Sequence, residues 1–76
     1  MMSLNACILI KTTPTQADDV LLKIRAMKSV RKVFVAYGRY DLVAFADASD
    51  YAEIRQLTGD INAILGVRST ETLVEA

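Results

Sequence analysis

The chain has 76 residues, with nine acidic and nine basic side chains, one cysteine, no histidine, and hydrophobic residues making up 53%. That length fits one domain, residues 1–76, and a lone Cys without His excludes an intrachain disulfide and the usual zinc, copper and iron–sulfur ligand sets. The balanced charge predicts neither a nucleic-acid footprint nor attraction to a membrane surface.

No apolar run approaches the roughly 20 residues needed to span a bilayer. The opening Met1-Met2-Ser3-Leu4-Asn5 lacks the basic head and apolar stretch of a signal peptide, so a cytoplasmic protein is expected. A chain this short needs support beyond its own core, and with disulfide and metal excluded the remaining route is oligomerisation.

Leu4 to Lys11 reads as the first strand. Ala6, Ile8 and Ile10 fall on one face, Cys7 and Leu9 on the other. Both faces are apolar, which predicts cover on both sides, and Cys7 reads as a small buried hydrophobe. Thr12-Thr13-Pro14-Thr15-Gln16 breaks the strand, and Thr15 is the expected helix cap, with Asp18 and Asp19 in the first turn. The helix is predicted to run to about Lys28, with Ala17, Val20, Leu21, Ile24 and Met27 as its apolar stripe. Lys23 to Lys32 holds five basic residues; a solvated face complementing the helix C-terminus accounts for them, and a phosphate-binding patch is the alternative.

Val30 to Tyr37 is the second predicted strand, followed by a Gly38–Asp41 turn. Gly38 admits backbone dihedrals closed to other residues, and Asp41 can bond nearby amides. The turn also exposes amides, one carboxylate and two tyrosines, a set able to hold a small zwitterion. Leu42 to Asp47 is the third strand and is again apolar on both faces. Ser49 or Asp50 caps a second helix, with Glu53 near the N3 position of a capping box. This helix is predicted over Tyr51 to Leu65, with Gly59 inside it marking close packing and Gly66 closing it. Val67 to Val74 is the last and most polar strand, suited either to a sheet edge or to supplying side chains to a ligand.

The order βαββαβ divides into two βαβ halves. Right-handed crossovers put both helices on one face of a four-stranded antiparallel sheet, a ferredoxin-like α+β fold. Two helices cover one face only, while the first and third strands are apolar on both. An uncovered face would be a large apolar patch, so a second copy packed sheet to sheet, a dimeric α/β sandwich or barrel, is expected.

Three segments in register on that order are similar to a known family: Ile8-Leu9-Ile10-Lys11-Thr12-Thr13-Pro14, Val35-Ala36-Tyr37-Gly38-Arg39-Tyr40-Asp41-Leu42, and Leu65-Gly66-Val67-Arg68-Ser69-Thr70-Glu71-Thr72-Leu73-Val74. Over residues 4–75 the chain resembles the effector-binding domain of the Lrp/AsnC (feast/famine) transcription regulators, also called the regulation of amino-acid metabolism domain. The Gly-x-Tyr-Asp element at Gly38–Asp41 is the most specific piece. The resemblance implies a homodimer that assembles into a higher ring, an octamer or similar, with a free amino acid bound between dimers. It implies ligand contacts from Gly38, Arg39, Tyr40 and Asp41, and also from Thr70 and Thr72. It implies no cofactor.

Full-length regulators carry an N-terminal helix-turn-helix domain, whereas this sequence opens at its first strand. The expectation is a stand-alone effector-binding module without direct DNA binding, sensing small amino acids and modulating full-length Lrp/AsnC-type regulators. Tyr37 stands where the family usually has a small residue, and Thr15 where a glycine commonly follows the early Pro. The alternatives are a purely structural or partner-binding oligomer, and a small cofactor-free enzyme. Against catalysis, there is no His, and Asp41, Glu53 and Glu71 serve more simply as turn, cap and surface residues. A metal carrier would need soft ligands in the first loop, where Lys11-Thr12-Thr13 offers none.

Overall fold

A computed structural model describes residues 3–75 of the chain. The elements follow the order β1 (Leu4–Thr12), α1 (Ala17–Arg25), β2 (Val30–Val35), β3 (Leu42–Ala48), α2 (Tyr51–Asn62) and β4 (Val67–Val74). The strands form one antiparallel sheet in the order β2-β3-β1-β4, the ferredoxin-like arrangement. The two strands that are apolar on both faces, β1 and β3, take the two central places. The polar β4 takes an edge, where its outer backbone groups and side chains meet solvent. Beyond the last pair of the β1–β4 ladder, Asn5 Nδ2 donates to Glu75 Oε1 at 2.7 Å, and the Glu75 amide donates to the Asn5 carbonyl at 2.9 Å.

Alternation along β1 divides the sheet into two faces. Ala6, Ile8, Ile10 and Thr12 are buried on the helix side. Ile8 and Ile10 pack with Val20 and Ile24 of α1, Leu57 and Ile61 of α2, and Leu42, Ala44 and Ala46 of β3. Full burial of an Ile or Leu side chain contributes about 1.5–3 kcal/mol, so these few residues dominate the folding energy. Alanines at 44 and 46 leave room for the helices to approach the sheet. Among the described residues, no helix is long and apolar enough to cross a membrane.

The opposite face carries Cys7 and Leu9 of β1, Val43 and Phe45 of β3, Phe34 of β2 and Leu73 of β4, as the strand registers show. Neither helix covers it. Phe34, Phe45 and Leu73 are 37%, 42% and 52% exposed, and the two phenylalanine rings lie 6.2 Å apart. Cys7 is half-buried here, so it is less enclosed than its residue type suggested.

Several boundaries differ from the pattern-based reading. Helix α1 stops at Arg25 and α2 at Asn62, because the chain leaves each through tight turns: Met27 N to Ile24 O, and Ile64 N to Ile61 O, both 3.0 Å. Met27 and Ile64 still pack on the core, which is why the apolar period runs past the helical backbone. Thr15 is not the cap of α1. It sits at φ 72, and Gln16 occupies the cap position without a side-chain cap bond. Asp50 does cap α2, accepting from the Glu53 amide at 2.9 Å. A Cβ at Gly59 would meet nothing within 4 Å, so that glycine marks no close packing. Gly66 does: it has φ +104, and a Cβ there would lie 2.9 Å from Gln16 Cβ.

Candidate functional site

Strand β2 ends at Val35, two residues before the expected Tyr37, and the chain loops through residues 36–41 before β3 begins. The Ala36 amide donates to the Asp41 carbonyl at 2.8 Å and closes this loop at its base. Gly38, at φ 140, supplies the conformation that lets the tip reverse. Tyr37 points away from the protein and is 97% exposed.

Asp41 fastens the loop to the sheet. The last β1–β3 pair is Ile10 with Leu42, so β3 offers no partner to the buried Thr12 beyond it. Asp41 Oδ2 takes that place, accepting from the Thr12 amide at 2.8 Å and from Thr12 Oγ1 at 3.3 Å. The Asp41 amide in turn donates to the Ile10 carbonyl at 2.9 Å. A carboxylate here substitutes for a missing strand residue, satisfying a buried donor that would otherwise be costly.

Two further bonds hold the outer part of the loop. Lys11 Nζ donates to the Arg39 carbonyl at 3.1 Å. Tyr40 Oη donates to Glu71 Oε1 at 2.6 Å, reaching across to the edge strand β4. That bond, more than burial or the nearby negative charge, raises the Tyr40 pKa above its ordinary value, with Arg39 opposing the shift. Among the described residues, the amides of Gly38, Arg39 and Tyr40 donate to no group of the chain. The loop therefore presents backbone donors beside Lys11, Arg39 and the Glu71 carboxylate. Such a set suits both ends of a zwitterion.

The six residues singled out in the sequence do not all converge. Gly38, Arg39, Tyr40 and Asp41 form the loop. Thr70 and Thr72 stand opposite Ile10 and Ile8, hence on the helix side of the sheet. Thr70 Oγ1 donates to Asn62 Oδ1 at 3.2 Å, and Thr72 Oγ1 is buried without a partner. Sequence reasoning missed Lys11, Thr12 and Glu71. Strand parity separates Ser69 and Glu71 from Thr70 and Thr72, but only the β1–β4 register reveals which pair shares a face with the loop's ties. Because Thr72 Oγ1 lacks a partner, Thr72→Val is expected to stabilise the fold by about 1 kcal/mol in urea unfolding and to leave ligand affinity unchanged. A loss of affinity instead would place the Thr72 hydroxyl in the site.

The sequence matches the family model for the Lrp/AsnC ligand binding domain over residues 5–75. The chain belongs to this family. Solved structures share its fold. TTHA0845 from Thermus thermophilus is 30% identical, with a TM-score of 0.92, covering 96% of this chain and 92% of that one. The protein FFRP-DM1 is 27% identical, with a TM-score of 0.90 and coverage of 96% and 99%. AsnC of E. coli, at 19% identity and a TM-score of 0.88, shares the fold; 95% of this chain aligns with 50% of AsnC. No curated protein matches the chain.

Proposed function

We propose that this Lrp/AsnC domain binds a free amino acid at the loop of residues 36–41 and couples binding to its own assembly. Two chains pair through their open sheet faces, and such dimers join into a higher ring, an octamer or similar, with loops near the dimer–dimer contacts. The observation that carries the reading is the loop itself: unpaired amides at Gly38, Arg39 and Tyr40, held in place by Asp41. The apolar open face supports the dimer, since monomers rarely expose such a patch. The fully exposed Tyr37 and the 83% exposed Leu65, both at the end of the sheet where the loop lies, give the next contact apolar material. A ligand that completes its site only in the ring shifts the equilibrium toward the ring. Mixed rings with a full-length Lrp/AsnC regulator would carry the same response to a DNA-binding partner.

The test is light-scattering mass and melting temperature at two protein concentrations, with and without the twenty amino acids. Methionine is the first single ligand to try, because related regulators from Neisseria meningitidis and M. tuberculosis were solved with L-methionine. A change in ring size or melting point with the pool supports sensing. A ring that ignores the pool favours a structural or partner-binding oligomer. In the same assay, Asp41→Ala is expected to weaken binding at least about tenfold and to lower stability by about 1–3 kcal/mol, the cost of leaving the Thr12 amide unsatisfied. The dimer should survive, since Asp41 lies in the loop before β3 and is tied to Thr12 rather than to the apolar sheet face. Retained affinity in this variant would reduce Asp41 to a turn residue.

A further inference from the structure

The loop is anchored at its base by Asp41 but steered at its outer end by a different residue, Glu71. Glu71 lies on β4, opposite Leu9, and so on the open face of the sheet. Its carboxylate receives the Tyr40 hydroxyl at 2.6 Å, across 31 residues of sequence. Between Gly38, whose φ of 140 makes it the compliant point of the loop, and Asp41, fixed on Thr12, this is the one side-chain hydrogen bond of Arg39 or Tyr40 among the described residues. Removing it leaves Arg39 and Tyr40 tethered only by the long Lys11 side chain on the Arg39 carbonyl.

We propose that Glu71 is a positioning residue for the ligand loop: by holding Tyr40 it fixes the amides of Gly38, Arg39 and Tyr40 in one orientation before ligand arrives. Pre-ordering matters because a loop that must be ordered on binding diverts part of the interaction energy to that ordering. The bond runs from a hydroxyl to a carboxylate, the stronger kind of hydrogen bond, and it joins the loop to an element of the sheet rather than to another loop. Glu71 also shares its face with Leu9 and, two residues along β4, Leu73. A second copy packed on that face would exclude water from the Tyr40–Glu71 bond and tighten it. Dimerisation and loop order are thereby linked through one contact. This inference rests on the proposed ligand site for its binding consequence, but the loop-ordering part stands without any ligand.

The experiment compares the wild-type chain with Glu71→Ala, Tyr40→Phe and Glu71→Gln. The first readout, in ligand-free protein, is the backbone NMR order parameter of the amides at 38–40, which report loop order without needing a hydrogen bond of their own. Loss of the carboxylate or of the hydroxyl is expected to lower these order parameters from near the rigid value of about 0.85 to below about 0.6, while amides of β1 and β3 keep their wild-type values. Glu71→Gln retains an oxygen that accepts from Tyr40 and is expected to restore most of the order. The second readout is alkaline absorbance titration, in which Glu71→Ala is expected to move the ionisation of Tyr40 to lower pH than in the wild-type chain. The third is methionine affinity, expected to fall about tenfold in Glu71→Ala and to recover in Glu71→Gln. Unchanged order parameters at 38–40 in both Glu71→Ala and Tyr40→Phe overturn the proposal, whatever ligand does. Lowered order parameters in those two variants, with no amino acid bound even by the wild-type chain, sink the ligand reading and leave Glu71 established as the loop's positioning residue.

Discussion

Gly66→Ala is expected to lower stability by about 2–4 kcal/mol in denaturant unfolding, equivalent to a fall in melting temperature of about 10–30 °C for a chain of this size. Two costs combine. At φ +104 any L side chain is strained, and the added Cβ would stand 2.9 Å from Gln16 Cβ and 3.1 Å from Val20 Cγ2. Val20 is fully buried, so it has nowhere to retreat. Gly66 also holds the Thr13 amide through its carbonyl at 2.8 Å, so the junction of the β1–α1 and α2–β4 connections passes through this residue. A backbone shift that relieved the clash would break that bond. Gly59→Ala is the control. It has open space around its would-be Cβ and lies inside α2, so it should stabilise by about 0.5–1 kcal/mol. A loss below about 1 kcal/mol at Gly66 would mean that α1 and the α2–β4 connection slide apart more easily than their packing implies.

The second large effect is expected from Phe45→Asp on the open face. Phe45 faces outward beside Phe34, opposite Cys7, and no helix shields it. If two sheets pack together there, the substitution removes an aromatic contact and places an unpaired charge in a dry interface, at a cost of about 3–5 kcal/mol. The dimer should therefore weaken more than about a hundredfold, and light scattering should report the mass of one chain at micromolar concentration. Circular dichroism guards the interpretation: retained secondary structure with the mass of one chain locates the interface on this face. An unchanged oligomer mass would show that the copies meet elsewhere.

The fold was written plainly in the sequence, because its strongest signals are local. Double-sided apolar alternation in β1 and β3 marks central strands, and the polarity of Ser69 to Thr72 marks an edge. Helix ends were overrun because Met27, Ile64 and Leu65 extend the apolar period after the backbone has already turned. Thr15 misled because threonine before acidic residues is the composition of a cap, while its backbone is left-handed. The loop was legible as a turn through Gly38 and Asp41. Its supports were not, since Asp41 with Thr12 and Tyr40 with Glu71 are joined across 29 and 31 residues. No local pattern encodes a partner at that distance. The same limit hid the facing of Thr70 and Thr72, which the resemblance offered as ligand contacts and which the register turns toward the helices.

Asn5 and Glu75 clasp each other across 70 residues, because the last strand of the sheet lies against the first. The sheet therefore cannot be completed until β4 has been made. β1 and β3 can pair early, but β1 keeps one bare edge until β4 emerges, and Glu71 arrives with β4. The nascent protein thus passes through a stage with one bare edge on an apolar strand and an unsteered loop, a state open to strand exchange with a neighbouring copy. Closing the longest loop last makes the end of the fold that carries residues 36–41 the final part to mature.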